Sequence, residues 1–238
     1  NGWKAIEELF KASLKTKEKD DPVKSLPEVH EGDMLDGVSA SVTEHFPQSH
    51  SFLYRGDIFL FLHGTKDFNG FSALAEEFRL KVVMSDGLCD LFELPALYRT
   101  AHEALELMMD YRFHGGSVCM VAQLRTPLLL KNIEGRSDLI AKEIRALAVH
   151  DRENDTQYCE TLYHYLTCCR SLKKTCDALF THRNTVLYRI HRMQDDFLIP
   201  LDDSAVHADL LLGVSLLLFE EKGPDFFLHT MNKAESEE

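Results

Sequence analysis

The chain has 238 residues, of which 45% are apolar and 27% are charged, and its formal net charge at pH 7 is −13. This composition is ordinary for a globular protein of one large or two modest domains, and the acidic balance argues against a chain that coats nucleic acid along its whole length. The longest apolar run, around residues 210–219, falls short of the ~20 residues that span a bilayer and fits a buried helix better.

The first 30 residues resemble the end of a helix followed by a linker. Apolar residues recur at helical spacing from Trp3 to Leu14, and a mixed-charge run with Pro22 and Pro27 follows. Because the chain begins without an initiator methionine, we expect residues 1–30 to derive from a truncated upstream segment. No signal peptide is evident and the six cysteines form no CxxC pair, so we expect free thiols in a reducing cytoplasm.

Residues 31–124 show a mixture of helical and strand patterns. Apolar spacing predicts a helix at 33–46, and two β-rich runs at 50–54 and 57–62 predict a hairpin with Arg55-Gly56 at its turn. The remaining elements are a helix, a strand, a helix and a strand, at 68–78, 80–85, 93–111 and 117–122. This order predicts an α+β sandwich, with one antiparallel-rich sheet and helices on one side.

Residues 137–222 are predicted to form an all-α domain. Four helix starts are suggested by capping residues: Ser137, Asn154 or Asp155, Ser171 and Thr181. The last helix, 204–221, is apolar nearly all round, so we expect it to be buried on every face, with a second subunit as a candidate neighbour. Residues 223–238 are expected to be a tail.

The segment from Arg170 to Arg192 reverses the charge of the chain. It holds six Lys or Arg and one acid, a local charge of 6 − 1 = +5. Two short helices joined by a tight turn predict a helix-turn-helix, with Leu187 and Ile190 on the inner face of the second helix. The alternative is an ordinary surface helix pair whose cations are solvated.

In the helix-turn-helix interpretation, Arg183 and Asn184 are candidates for base contacts, because Arg pairs with guanine and Asn with adenine. The other polar residues suit phosphates, which position a protein without specifying sequence, and His182 suits either role. The predicted DNA-binding residues are Lys173, Lys174, Thr181, His182, Arg183, Asn184, Thr185, Tyr188, Arg189 and Arg192.

The run from His182 to Ile190, His-Arg-Asn-Thr-Val-Leu-Tyr-Arg-Ile, resembles the signature of the PucR/CdaR family of bacterial transcriptional regulators. Flanking segments at 160–166 and 201–219 resemble that family too, so the similarity covers about residues 138–220. The resemblance implies sequence-specific DNA binding, usually as a dimer or higher oligomer, and a small-molecule effector that the sequence does not name. Cys176, where many members have Ala, is a small departure.

In many members of that family a degenerate GGDEF-like domain precedes the helix-turn-helix, and residues 33–122 resemble one weakly. Arg55-Gly56-Asp57-Ile58-Phe59 would align with the GGDEF motif. Because Mg²⁺ demands oxygen ligands and Ile58 offers none, we expect no catalysis. The alternatives are a nucleotide-binding sensor or cyclase-type enzyme, and a protein-interaction scaffold without DNA binding.

The histidines and cysteines give no strong metal or catalytic pattern. No two histidines have the i, i+4 spacing of a helical metal site, so neither a metal nor a cofactor is predicted. Cys168, Cys169, Cys176 and His182 are close in sequence, which leaves a zinc or redox switch open, but buried thiols are the ordinary interpretation.

Overall fold

The computed structural model describes residues 37–38, 40–42, 44, 49–62, 69–87 and 90–231. The helix and linker predicted at 1–30, and the tail from residue 232 on, lie outside the described residues. Two compact units are present: one comprises the chain up to residue 110 with 115–124, and the other comprises 111–114 with the chain from residue 125 on. The protein is mostly helical, with small sheets in the first unit.

The hairpin of the first unit is formed by β1, His50–Tyr54, and β2, Asp57–Phe61, as the sequence predicted. The strands are antiparallel with Tyr54 opposite Asp57, and the turn residues Arg55 and Gly56 have φ of 53° and 85°. A two-residue turn with two positive φ values matches the right-handed twist of the strands.

Both faces of this hairpin are covered by apolar side chains. One face packs its aromatic residues against Leu94 and Tyr98, and the other packs Ile58 and Leu60 against a cluster that includes Phe71. The aromatic residues on the first face are Phe52, Tyr54, Phe59 and Phe61. Burial on both sides fixes the register, because a slip of one residue would exchange the two faces.

The remaining described elements of the first unit include two helices and the two strands of a second sheet. They are α1, Asn69–Glu77, β3, Val82–Met84, α2, Leu94–Met108, and β4, Val118–Met120. The described residues between 37 and 44 are helical.

The prediction of one antiparallel-rich sheet is wrong for the described residues. β3 pairs in parallel with β4, with Val83 opposite Cys119, while β1 and β2 form a separate antiparallel pair. The intervening helix α2 supplies the crossover that a parallel pair needs. Alternation of apolar residues identifies the faces of a strand, but it does not say which edges pair.

The described residues of the second unit form helices joined by turns and loops, with no strand among them. Its helices are α3, Val121–Asn132, which begins in the first unit, α4, Lys142–Asn154, α5, Tyr158–Thr167, α6, Leu172–Leu179, α7, Arg183–Asp195, α8, His207–Lys222, and α9, Asp225–Met231. The tail was predicted to begin at 223, but α9 is a helix, because Phe227 is buried against the rings of Tyr163 and Phe219.

Helix α8 packs against α4 and α5, and its buried residues include Leu210, Val214 and Phe219. Gly213 lies so close to Ile140 that a Cβ there would stand 3.2 Å from Ile140 Cγ2. Burial is not complete on every face as predicted, because Leu212 is 58% exposed. None of the helices in the described ranges has the length and apolar character needed to cross a membrane.

The carboxyl end of α8 is capped from outside by Arg112. Its guanidinium donates to the carbonyl oxygens of Phe219 and Glu220, at 3.2 and 3.4 Å, and to the Glu134 carboxylate at 3.0 Å. Cations suit this end of a helix because the last carbonyls carry partial negative charge. Gly223 makes the approach possible: a Cβ there would lie 2.6 Å from Arg112 Cβ.

Only one of the four predicted helix caps is confirmed without change. The Lys174 N–H donates to Ser171 Oγ at the start of α6. Ser137 instead lies in a short 3₁₀ turn before α4, and Asp155 is the left-handed residue that ends α4. Capping residue types are frequent in this part of the chain, and the backbone angles decide which of them caps a helix.

A polar cluster joins the hairpin to α2. His102 Nδ1 lies 2.7 Å from Asp57 Oδ2, and the Tyr98 hydroxyl lies 3.5 Å from the same oxygen. The hydrogen bond to Asp57 is the largest cause that raises the pKa of His102 above its usual range, against the opposing effect of burial. Glu106, whose carboxylate is 3.8 Å from His102 Nε2, acts in the same direction.

Because of this cluster, we expect the amides of the β1–β2 hairpin to lose protection against hydrogen exchange as pH rises. Since the folded pKa of His102 exceeds its unfolded value near 6.5, the stabilisation is complete below about pH 6 and is lost as pH rises through the folded pKa. Hydrogen exchange of the amides of β1 and β2, corrected for intrinsic rates, should show weaker protection at pH 8 than at pH 6. Asp57→Asn should abolish this difference.

Glu103→Gln provides the matched control, because Glu103 is exposed on the same helix and its substitution removes the same charge. Equal pH dependence in Asp57→Asn and the wild type would contradict the assignment.

Candidate nucleic-acid interface

The turn between α6 and α7 consists of Phe180, Thr181 and His182. Phe180 has a left-handed backbone, φ 50°, and the Thr181 N–H donates to the Cys176 carbonyl at 3.0 Å, which closes the last turn of α6. A left-handed residue commonly ends a helix in this way. Turns of three or four residues join the two helices of DNA-binding helix-turn-helix motifs.

The start of α7 differs from the sequence prediction by one residue. His182, rather than Thr181, is the N-cap: the Asn184 N–H donates to His182 Nδ1 at 3.3 Å. The Thr181 hydroxyl donates instead to the Leu179 carbonyl. Helix α7 therefore begins at Arg183, and its first turn carries Arg183, Asn184 and Thr185, all exposed.

The two faces of α7 are clearly different. Val186, Ile190 and Met193 are buried, with spacings of four and three residues. The inner face therefore centres on Val186 rather than on the predicted Leu187, which is half-buried. On the outer side Tyr188 is 58% exposed.

His191 is an exposed residue that the sequence analysis missed. It lies three residues after Tyr188 and seven after Asn184, so it belongs to the outer face of α7 by helical periodicity. This spacing was readable in the sequence and would have added His191 to the candidates.

The side chains at the start of both helices are available to a ligand. Within the described residues, no hydrogen bond or ion pair involves the side chains of Arg183 and Asn184, or those of the exposed Lys173 and Lys174 on the first turn of α6. Two lysines at a helix N-terminus are unfavourably placed with respect to the helix dipole, which favours anions there. A bound phosphate would offset that repulsion.

Two arginines predicted to contact phosphate have partners inside the protein. Arg189 is half-buried and donates to Thr161 Oγ1 at 2.9 Å and to Gln157 Oε1 at 3.3 Å. Arg192 pairs with Asp196 at 2.7 Å between Nε and Oδ2, and this neighbouring charge raises the pKa of its guanidinium.

The position of Arg189 follows from the helical repeat. It stands three residues after the buried Val186 and four before the buried Met193, so it extends from the inner face of α7. The sequence alone had suggested a phosphate contact for this residue.

Helix α5, which receives Arg189, is held at its amino end by Asp151 of α4. The Asp151 carboxylate, only 8% exposed, accepts from the N–H groups of Tyr158 and Cys159, both at 2.8 Å, and from the Thr156 hydroxyl at 2.6 Å. It therefore supplies the cap that the sequence assigned to Asn154 or Asp155.

The described residues offer no site for a metal ion. No group of three or more His, Cys, Asp or Glu side chains within them is arranged to hold one. The five described cysteines form no disulfide, and burial raises the pKa of the Cys159 thiol well above its usual range. Such a thiol is a packing group rather than a nucleophile.

Comparison with known families bears on this site directly. The model of the PucR C-terminal helix-turn-helix domain matches residues 158–216, which run from the start of α5 into α8. The chain carries a PucR-type helix-turn-helix domain. This confirms the resemblance predicted from the run His182 to Ile190. Residues 183 and 184 thus stand at the start of α7, the second of the two helices joined by the turn within this PucR-type domain.

One relative supports the same conclusion. Over 121 residues the chain is 30% identical to the proline-responsive transcriptional activator PutR of Bacillus subtilis (strain 168). This match covers 48% of this chain and 29% of PutR. The chain thus matches less than a third of that relative's length. No solved structure matches the chain.

The cap formed by Asp151 yields a prediction about the stability of the PucR-type domain. Asp151→Ala leaves two buried N–H groups and a hydroxyl without their acceptor, and we expect it to cost about 2 kcal/mol. Hydrogen exchange of the α5 and α7 amides, read by mass spectrometry, should show this loss in both helices.

Glu153→Ala is the matched control, since Glu153 is an exposed acid on the same helix α4. An equal loss of protection in both variants would show that the charge of α4, and not the cap, stabilises α5.

Proposed function

We propose that this protein is a transcriptional regulator that binds operator DNA in a sequence-specific manner, with α7 in the major groove. The observation that carries the proposal is the exposure of Arg183 and Asn184 on the first turn of a helix whose opposite face is buried. In helix-turn-helix proteins the amino-terminal residues of the second helix read base edges. The family of the domain and the name of PutR support the same assignment.

The other exposed residues take the role of phosphate contacts in this proposal. Lys173 and Lys174 come from α6, while Thr185 and Tyr188 come from α7. His182 and Thr181, at the turn, contribute backbone and side-chain groups near the helix N-terminus, where anions are favoured. Arg192 would have to exchange Asp196 for a phosphate.

We further propose that two copies act together in the cytoplasm as a homodimer. Dimeric helix-turn-helix proteins place two recognition helices about 34 Å apart, one turn of DNA, and so read a pseudo-palindrome. Residues 137–222 form the DNA-binding domain in this scheme, and residues 31–124 form the domain that senses a ligand or dimerises.

The sensing role of residues 31–124 rests on a proposed GGDEF-like character. Arg55-Gly56 lies at the tip of the β1–β2 hairpin, where the resemblance would put the GGDEF glycines. Ile58 is packed in an apolar cluster, and Asp57 is engaged with His102 and Tyr98. A small-molecule effector is proposed because PutR is described as proline-responsive.

The DNA-binding roles can be separated by mutation. We expect Arg183→Ala and Asn184→Ala to lose discrimination between operator and mutated operator, at about 1–3 kcal/mol for each base contact. Lys173→Ala should weaken binding to all sequences evenly and reduce the slope of log K against log salt by about 0.9. Fluorescence anisotropy on a duplex selected by the wild-type chain from a random library measures both quantities.

Retention of full sequence preference in both α7 variants would overturn the assignment of roles. If the wild type selects no sequence at all, the chain is a protein-interaction scaffold rather than a DNA-binding regulator.

The enzymatic alternative has its own test. We expect no conversion of GTP in the presence of Mg²⁺. In the proposed GGDEF-like alignment Ile58 would take the place of a metal-binding acid, and it lies among apolar side chains. Product analysis by chromatography after incubation of the full chain would detect turnover, and turnover would contradict a purely regulatory role.

A further inference from the structure

We propose that Arg189 positions the recognition helix α7 and does not contact DNA. This inference rests on the proposed function, because it assigns a role within the same DNA-binding surface. Arg189 is part of the run His182 to Ile190 that resembles the family signature, and its charge alone would suggest a phosphate contact. Its geometry indicates a different task.

The acceptors of Arg189 lie on the first turn of α5. Thr161 is fully buried, and its hydroxyl donates to the Gln157 carbonyl at 2.7 Å, so a lone pair of the oxygen remains for Arg189. The Gln157 side-chain oxygen accepts a second guanidinium N–H. The planar fork of Arg thereby binds two groups one helical turn apart with two separate N–H groups held in a fixed geometry.

Apolar packing alone would leave the rotation of α7 weakly defined. The buried Val186, Ile190 and Met193 attach α7 to the unit, but hydrophobic contacts are not directional. Two hydrogen bonds from one guanidinium fix the angle of α7 about its own axis relative to α5. That angle decides whether Asn184 and Arg183 face the base edges.

Helix α5 is itself held in place by polar contacts from α4 and α8. Asp151 binds its first amides, and Lys222 of α8 forms an ion pair with Glu160, the residue next to Thr161. Arg189 therefore sets the orientation of α7 relative to α5, and contacts from α4 and α8 hold α5 in place. If Arg189 turned its guanidinium outward to a phosphate, it would release Thr161, and the buried Thr161 hydroxyl would have one bond fewer.

The test uses two variants on opposite ends of the interaction. Arg189→Gln removes the cation, and Thr161→Val removes the buried hydroxyl while keeping the side-chain shape. We expect each to weaken binding to the selected duplex by about tenfold. The effect of the double variant should be far smaller than the product of the two single effects, because both variants remove the hydrogen bond between Arg189 and Thr161. The slope of log K against log salt should equal that of the wild type in all three.

Two reference variants calibrate the slope and the fold. Lys173→Ala should lower the slope by about 0.9, since one phosphate contact is lost. Thr161→Ser keeps the hydroxyl and removes the methyl group, and it should bind DNA with wild-type affinity. If Thr161 acted only by packing its methyl group, Thr161→Ser would weaken binding instead.

A decrease of about 0.9 in the slope for Arg189→Gln would overturn the inference and make Arg189 a phosphate contact. If Thr161→Val fails to fold, the salt slope measured for Arg189→Gln still decides whether Arg189 contacts phosphate. Failure of the proposed function appears differently: the wild-type chain itself would then select no sequence from the random library.

Discussion

The PucR-type domain depends on the burial of helix α5. Seven of its ten residues are buried, so each polar group near it needs a partner inside the protein. Asp151 binds the first amides, Thr161 serves as donor and acceptor, and Glu160 pairs with Lys222. Among the described residues no buried side-chain nitrogen or oxygen lacks a hydrogen-bond partner. A fully satisfied buried network is rigid, and the surrounding helices take their orientation from it.

The exposed surface of α7 follows from this arrangement. The inner face of α7 and Arg189 contact the rest of the fold. The exposed side chains at its start are therefore Arg183, Asn184 and Thr185, and Tyr188 and His191 are exposed further along. Local cations matter more for phosphate binding than the net charge of the chain, −13. An acidic remainder weakens non-specific attraction to DNA, which leaves affinity concentrated on the proposed DNA-binding surface.

The sequence was sufficient for the features that depend on local chemistry. The β1–β2 hairpin was predictable because Arg55-Gly56 separates two β-rich runs, and the helix-turn-helix was predictable from two short amphipathic helices and its signature. The sheet was not, because pairing of β3 with β4 depends on contacts between residues far apart in sequence. The cap of α5 was missed for a similar reason: Asp151 lies on the preceding helix, seven residues before Tyr158.

Arg189 shows where reasoning from residue type fails. Its charge suggested exposure, but the spacing of Val186, Arg189 and Met193 already placed it on the buried side of α7. The acceptor that makes this burial favourable, Thr161, is 28 residues away and could be identified only from the structure.

The central claim, that α7 reads base edges in the major groove, is tested most directly by methylation interference on the selected duplex. Methylation of guanine N7 blocks the major groove, whereas methylation of adenine N3 blocks the minor groove. The account predicts that N7 methylation at specific guanines prevents binding by the wild type, and that Arg183→Ala becomes insensitive at one of them. Interference confined to adenine N3, with every guanine N7 tolerated, would contradict it.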